Sequence, residues 1–161
     1  MAGHAWAPIG KPDRLPATYS RPHGVRHLLA AYDVGADKLW GVVKPRKRWQ
    51  EFLGLLQDIR RRYPQNEKIY VVLDNFSPHS KGEVCRWCRQ NRIKLVFTAT
   101  NASWMNRIEC HFWPLRKFAL QNSNYKSHEE QNQAIYKYLR WRNKNKTDEK
   151  IRKLQKLHYV S

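Results

Sequence analysis

The spacing of apolar and polar residues divides the first half of the chain into two strands and a helix. Residues 25–33 and 38–43 have the composition of strands, and the turn sequence VGAD between them predicts a β-hairpin. In residues 49–62, apolar side chains recur at the i, i+3, i+4, i+7 spacing of one helix face. Gly54 costs such a helix roughly 1 kcal/mol relative to alanine but does not interrupt the pattern.

The second half of the chain continues with alternating strands and helices. The continuous apolar run at 68–74 predicts a strand covered on both faces, and residues 93–97 predict another short buried strand. We expect a helix over 80–91 between these strands and a further helix from Ser103. The SHEE sequence predicts a capping box that opens a helix over 127–143. This order predicts an α/β fold with a mixed sheet.

The charge of the chain narrows the choice of partner. Lys and Arg number 31 against 13 Asp and Glu, which gives a formal net charge of +18. Such an excess favours a polyanion, most often nucleic acid, over a ribosomal-type or merely solubilising surface. The basic loop KPRKR offers candidate phosphate contacts, although its cations could equally be a solvated face. These candidates are Lys44, Arg46, Lys47 and Arg48.

Length and cysteine content predict one domain in a reducing compartment, and no membrane association. Residues 1–143 suit one core, followed by a basic tail or helix at 144–161. Cys85, Cys88 and Cys110 are too few for a disulfide framework, which predicts a cytoplasmic protein. A zinc site around the CxxC pair is the weaker alternative to cysteines that simply pack. No apolar run approaches the ~20 residues of a membrane span.

Two carboxylates occupy positions where chemistry can be expected. Asp74 ends the apolar strand IYVVLD, and functional groups gather at the carboxyl ends of strands in α/β sheets. Glu109 follows after 34 intervening residues, about two turns into the helix expected from Ser103. Together they could bind Mg²⁺ and act on a phosphodiester. Taken singly, an Asp at a strand end is more often a cap and a Glu on a helix is more often solvated.

The segments YVVLDNFSPHS and NRIKLVFTATNASWMNRIECHFWPLRK together resemble the second half of a DDE transposase catalytic domain, in the bacterial insertion-sequence branch related to mariner. The upstream segment AWAPIGKPDRLPATYSRPHGVRHLLAAYDV resembles the stretch between the first and second acids of that family. The resemblance implies a ribonuclease H-like mixed sheet flanked by helices, DNA as substrate, and Mg²⁺ or Mn²⁺ as cofactor. It implies that Asp74 is the second acid of the triad and Glu109 the third.

The same resemblance suggests further residues near the substrate. Asn75 and His79 match the "DN…H" positions, where His79 either contacts substrate or caps the following helix. Asn106 lies in the WxNxIE motif and either holds the turn before Glu109 or contacts DNA. Pro114 should kink or split the helix just after Glu109.

The chain departs from the resembled family at the first acid. That acid lies on a strand upstream of the WAPIG stretch, whereas no acid precedes Asp13 here. The resemblance places no metal ligand at Asp13, Asp33 or Asp37. We therefore expect a truncated or separately translated transposase piece that lacks the first, central strand and cuts DNA poorly alone. It would act as a homodimer or with full-length transposase; the alternative is a non-catalytic DNA-binding remnant or regulator.

Overall fold

The computed structural model describes residues 24–99, 106–121, 123 and 125–145. Its strands are β1 (His27–Asp33), β2 (Lys38–Lys44), β3 (Ile69–Leu73) and β4 (Ile93–Phe97). Its α-helices are α1 (Trp49–Arg60), α2 (Gly82–Gln90), α3 (Glu109–Leu115) and α4 (His128–Lys144). A 3₁₀ turn covers Ser77–Ser80, and a π-helical turn covers Arg116–Leu120. Among these helices none is long and apolar enough to cross a membrane.

The four described strands form two separate two-stranded sheets. β1 and β2 are the predicted antiparallel hairpin, with Asp33 opposite Lys38 across the turn. β3 and β4 are parallel, with Ile69 opposite Ile93, and α2 is the crossover between them. The predicted α/β composition is therefore present, but the strands described do not join into one mixed sheet.

The hairpin lies between two apolar clusters because its side chains alternate. Leu29 and Ala31 pack against a cluster built from α1, α2, β3 and β4. Leu28 and Tyr32, on the opposite face, pack against a second cluster built mainly from α3, the π-helical turn and α4. The period-2 arrangement of a strand thus places the hairpin inside a three-layer region.

Within the part of the chain that the structure describes, the β3–β4 sheet is covered on one face only, which contradicts the prediction of a strand buried on both faces. Ile69, Val71 and Leu73 point toward the α1 cluster. Tyr70 and Val72, between them, are 59% and 50% exposed. The error has a physical cause: an apolar run shows that a strand can be buried, but coverage of each face depends on which other elements pack there.

Arg60 closes the C-terminal end of α1. Only 3% of this residue is exposed, and its guanidinium donates to the carbonyls of Pro64 (2.6 Å) and Glu67 (2.8 Å). A third, longer bond reaches the carbonyl of Asn91 at 3.3 Å. A buried guanidinium is tolerated here because backbone carbonyls replace water around it. The basic end of α1 therefore ties the turns before β3 and β4 together.

α3 runs through Pro114 without a split just after Glu109, and it leaves regular α-helical geometry only beyond the proline. The start expected at Ser103 lies outside the described residues, and the described helix begins at Glu109, whose N–H bonds to the Asn106 carbonyl at 3.1 Å. Glu109 therefore opens α3 rather than lying two turns inside it. Just after Pro114, the helix widens into the π-helical turn Arg116–Leu120.

α4 is capped as predicted and docks on the hairpin through polar side chains. Ser127 Oγ accepts from the Glu130 N–H at 3.2 Å. Asn143 pairs with both backbone groups of Leu39, at 2.8 Å each. Arg142 donates to the carboxylate and carbonyl of Asp37 in the β1–β2 turn. Of the predicted tail at 144–161, only the first two residues lie in the described part of the chain.

Gly41 and Gly54 provide a matched test of this packing. A Cβ at Gly54 would meet nothing within 4 Å, so Gly54→Ala should raise the free energy of unfolding by about 0.5–1 kcal/mol. A Cβ at Gly41 would lie 2.8 Å from Leu28 Cδ1, so Gly41→Ala should lower it by about 1 kcal/mol. Urea denaturation followed by circular dichroism measures both. Effects of the same sign would contradict the packing described here.

Candidate active site

A cleft of about 1350 Å³ separates the hairpin from the β3–β4 sheet. β1 lines one side and β3 the other along their whole lengths, and apolar side chains of α1 line it between them. Among the described strands, β1 pairs only with β2, and β3 only with β4. Each of the two strands that border the cleft therefore has one edge without a strand partner.

Asp74 and Glu109 both line this cleft. Asp74 follows the last residue of β3, and Glu109 is the first residue of α3. The pKa of Glu109 is raised, first by the protein around it, which displaces water, and then by the charge of Asp74. The fold thus brings together the two acids that the sequence analysis singled out, close enough for one to affect the other.

His79 holds the Asp74 carboxylate. Its Nδ1 lies 3.0 Å from Asp74 Oδ1 and 3.2 Å from the Asp74 carbonyl oxygen. Because both oxygens are acceptors, Nδ1 carries the proton and donates to them. The imidazole is fixed in turn by the rings of Phe52, at 4.2 Å between centroids, and Phe76, at 5.4 Å. His79 therefore contacts the first candidate ligand directly.

The two asparagines of the predicted site brace the backbone around the acids. Asn75 Nδ2 donates to the carbonyl of Thr98 at 2.7 Å, which links the chain after β3 to the chain after β4. The Asn106 carbonyl accepts the N–H of Glu109, and Asn106 also lines the cleft. This contact uses the backbone carbonyl of Asn106 and leaves the role of its side chain a prediction.

The basic loop contributes unequally to the cleft. Lys47 and Arg48 line it, whereas Lys44 and Arg46 do not. Lys47 Nζ lies 4.8 Å from the centre of the Phe76 ring, two residues beyond Asp74. Arg48 pairs with Glu51 at 2.7 Å, and this partner lowers the pKa of Glu51 to about 2.

Three cations that line the cleft were not singled out from the sequence: Arg26, Lys68 and Arg107. Arg107 lies within the MNRIEC segment two residues before Glu109, so its position in the motif was a usable signal. No feature of the sequence pointed to Arg26, because only the tertiary structure places the start of β1 at the cleft.

Two of the three other acids that could supply a third ligand, Asp33 and Asp37, have structural partners. Asp33 accepts from the Tyr63 hydroxyl and from the Ala36 N–H at 2.8 Å. Partial burial raises the pKa of Asp33, but these hydrogen bonds outweigh it and lower the value overall. Asp37 pairs with Arg142 and accepts from the Tyr32 hydroxyl at 2.8 Å. Asp13 lies outside the described residues.

The donor set at the cleft suits a hard cation rather than zinc. Carboxylate oxygens open to water are the ligands that Mg²⁺ and Mn²⁺ accept. Within the described ranges, however, no group of three or more His, Cys, Asp or Glu side chains could hold a metal. At the CxxC pair, burial raises the pKa of Cys88 to about 11, which opposes the thiolate that zinc requires. None of the three cysteines forms a disulfide.

Helices packed on a small parallel sheet, with two acids at a strand-end cleft, form an integrase-type, ribonuclease H-like arrangement. A family model described as DDE superfamily endonuclease matches residues 1–132, and the chain belongs to that superfamily.

Similarity to solved structures supports the same fold. A chain from the cryo-EM structure of the simian T-cell lymphotropic virus intasome, in complex with the PP2A regulatory subunit B56 gamma, matches with a TM-score of 0.52 and 13% sequence identity. The match covers 75% of this chain and 53% of the viral complex's chain. This protein therefore spans about half the length of that relative. No curated protein matches it.

The raised pKa of Glu109 predicts a pH-dependent effect on stability. The folded chain binds this proton more tightly than the unfolded chain, so the stabilisation is complete below the ordinary pKa of 4.5 and is lost as pH rises through the higher folded value. Glu109→Gln should therefore raise the melting temperature at about pH 7, by no more than about 2 °C because the group is solvated. At about pH 3.5 the variant and the natural chain should melt together. Thermal melts at both pH values test this.

A double-mutant comparison isolates the contribution of Asp74. In an Asp74→Asn background, the rise in melting temperature caused by Glu109→Gln at neutral pH should be smaller, because the Asp74 charge that helps to raise the Glu109 pKa is absent. An undiminished gain would show that the two carboxylates do not interact.

Proposed function

We propose that this chain is a catalytic piece of a DNA transposase of the insertion-sequence type related to mariner. In this proposal Asp74 and Glu109 hold Mg²⁺ or Mn²⁺, and the activity is DNA strand cleavage and strand transfer. The observation that carries the proposal is the meeting of these two acids at one cleft, in a chain of the DDE superfamily.

The side chains around the cleft have separable tasks in this proposal. Asp74 and Glu109 supply oxygen ligands, and a metal held there would activate water or a 3′-hydroxyl and offset charge on the phosphate. His79 orients the Asp74 carboxylate, and Asn75 keeps the ends of β3 and β4 together. Lys47 and Arg107 neutralise DNA phosphates that the two acids alone would repel.

Four other residues have smaller roles in this proposal: Arg48, Lys44, Arg46 and Asn106. Glu51 already neutralises Arg48, so this residue serves mainly to place the start of α1 beside the cleft. Lys44 and Arg46 contact phosphate outside the cleft. Asn106 sets the turn that presents Glu109.

We further propose that a β-strand occupies the cleft and brings a third carboxylate to Asp74 and Glu109. Support comes from the edges of β1 and β3 that lack a partner among the described strands and from the apolar α1 side chains between them. Unpaired strand edges are ready templates for another strand. The occupant would come from the first, central strand of the domain or from a partner, in a homodimer or an assembly with full-length transposase.

A non-catalytic role in DNA binding or regulation is the second candidate. It is favoured by one observation: only two convergent acids are present in the described part of the chain. A protein with net charge +18 binds DNA whether or not its metal site is complete.

Metal-dependent stabilisation tests the ligand assignment. Mn²⁺ at roughly ten times its dissociation constant should stabilise the chain by about 1.4 kcal/mol, or about 3–6 °C in melting temperature. Asp74→Asn and Glu109→Gln should each abolish this shift, and Asp33→Asn should not. A shift that survives Asp74→Asn would exclude Asp74 as a ligand.

Nicking of supercoiled plasmid by the purified chain separates the two candidate functions. The proposal predicts weak nicking that requires Mg²⁺ or Mn²⁺ and disappears in Asp74→Ala. DNA binding without any metal shift or nicking would favour the regulator instead. Robust nicking that Asp74→Ala abolishes would show that another acid of this chain completes the site.

His79 should act as a positioning residue for Asp74. His79→Ala removes the donor to Asp74 Oδ1 and should weaken Mn²⁺ binding about 10-fold, the usual cost of losing a hydrogen bond behind a metal ligand. His79→Asn places an amide N–H donor at a similar distance from the backbone and should restore most of the affinity for Mn²⁺. His79→Phe preserves packing against Phe52 without the donor. Recovery by Phe rather than Asn would show that His79 only packs.

A further inference from the structure

Two exposed aromatic residues form a cluster on the side of the molecule built from the π-helical turn and α4. Phe118 is 68% exposed and Trp141 is 55% exposed, with 6.3 Å between their ring centroids. Tyr138, which is buried, lies 6.2 Å from Phe118 and 6.0 Å from Trp141. Neither exposed ring lines the cleft that contains Asp74 and Glu109.

The geometry of the cluster leaves flat apolar surface facing water. The Phe118 ring is nearly parallel to the Tyr138 ring, with 14° between their planes, so Tyr138 supports it from the protein side. Adjacent exposed aromatic rings are uncommon on a folded surface and mark places where another molecule binds. Because Tyr138 belongs to the second apolar cluster, the platform rests on a rigid base.

The charge around the rings specifies the partner. Exposed cations occur along the two elements that carry the rings: Arg116, Lys117, Lys137, Arg140 and Lys144. Lys137 and Lys144 lie four residues before and three residues after Trp141, which places them on its side of α4. No acid occurs in residues 110–127 or 131–145. Such a surface repels cations and favours a polyanion that also carries planar apolar groups.

We propose that Phe118 and Trp141 form a stacking platform for the unpaired bases of a single-stranded nucleic acid, with Lys137 and Lys144 on its phosphates. Single strands offer both features at once: exposed base faces and a regular row of phosphates. A duplex offers the phosphates only, since its bases are stacked on one another. This inference goes beyond the proposed function, because it concerns a surface and a ligand form that strand cleavage at the cleft does not require.

Fluorescence anisotropy with labelled oligo-dT of about 20 nucleotides, and with a labelled duplex of equal length, tests the platform. Phe118→Ala and Trp141→Ala should each weaken oligo-dT binding about 5- to 100-fold and change duplex binding less than about twofold. Phe118→Trp and Trp141→Phe should keep oligo-dT binding within about threefold, since each retains a ring. Trp113→Ala removes a comparably exposed ring, outside the cluster, and should have no effect.

The possible outcomes are distinct. Equal losses for duplex and oligo-dT, or a loss in Trp113→Ala as large as in Trp141→Ala, would overturn the platform. If Trp141→Ala leaves oligo-dT binding intact but converts a dimer to a monomer in analytical ultracentrifugation, the surface is an interface between copies of this chain. Since binding is measured in EDTA, it does not depend on a metal at Asp74 and Glu109, and failure here leaves the proposed cleavage site untouched.

Discussion

Burial of the apolar face of α1 is the interaction that holds this structure together. Phe52, Leu55, Leu56 and Ile59 are all buried, and Leu56 is fully so. The cluster they build also contains side chains from α2, β3 and β4, and β1 and β2 pack against it. Because the two sheets share no described strand pairing, this helix sets their separation and so determines the width of the cleft.

The cleft places acids in an otherwise strongly basic molecule. Burial, and after it the negative charge of Asp74, raises the pKa of Glu109, so the two carboxylates oppose each other electrostatically. Local contacts hold the two acids in place: the His79 imidazole donates to Asp74, and a backbone turn positions Glu109. Like charges held together at a solvated cleft are typical of functional sites rather than of stability. The platform at Phe118 and Trp141 differs from the cleft, because its apolar rings lie on elements that carry exposed cations rather than acids.

Local patterns predicted the elements well, and long-range packing accounts for the errors. The hairpin, α1, α2 and α4 agree with the prediction to within about two residues at each end. The predicted burial of Tyr70 and Val72 was wrong, because their burial depends on which distant elements pack over the strand and not on the apolar run itself. The position of Glu109 within its helix was wrong too, because the turn at Asn106 was read as helix.

The sequence by itself determined which acids are candidates for chemistry, because the order of strand, acid, strand and acid is a local property of the chain. It also determined the net charge, which favours a polyanion as partner. Only the tertiary structure decided that Asp74 and Glu109 share a cleft, that His79 donates to Asp74, and that Asp33 and Asp37 are already engaged. Those relations join residues from different elements, and the packing of α1 against both sheets brings the walls of that cleft together.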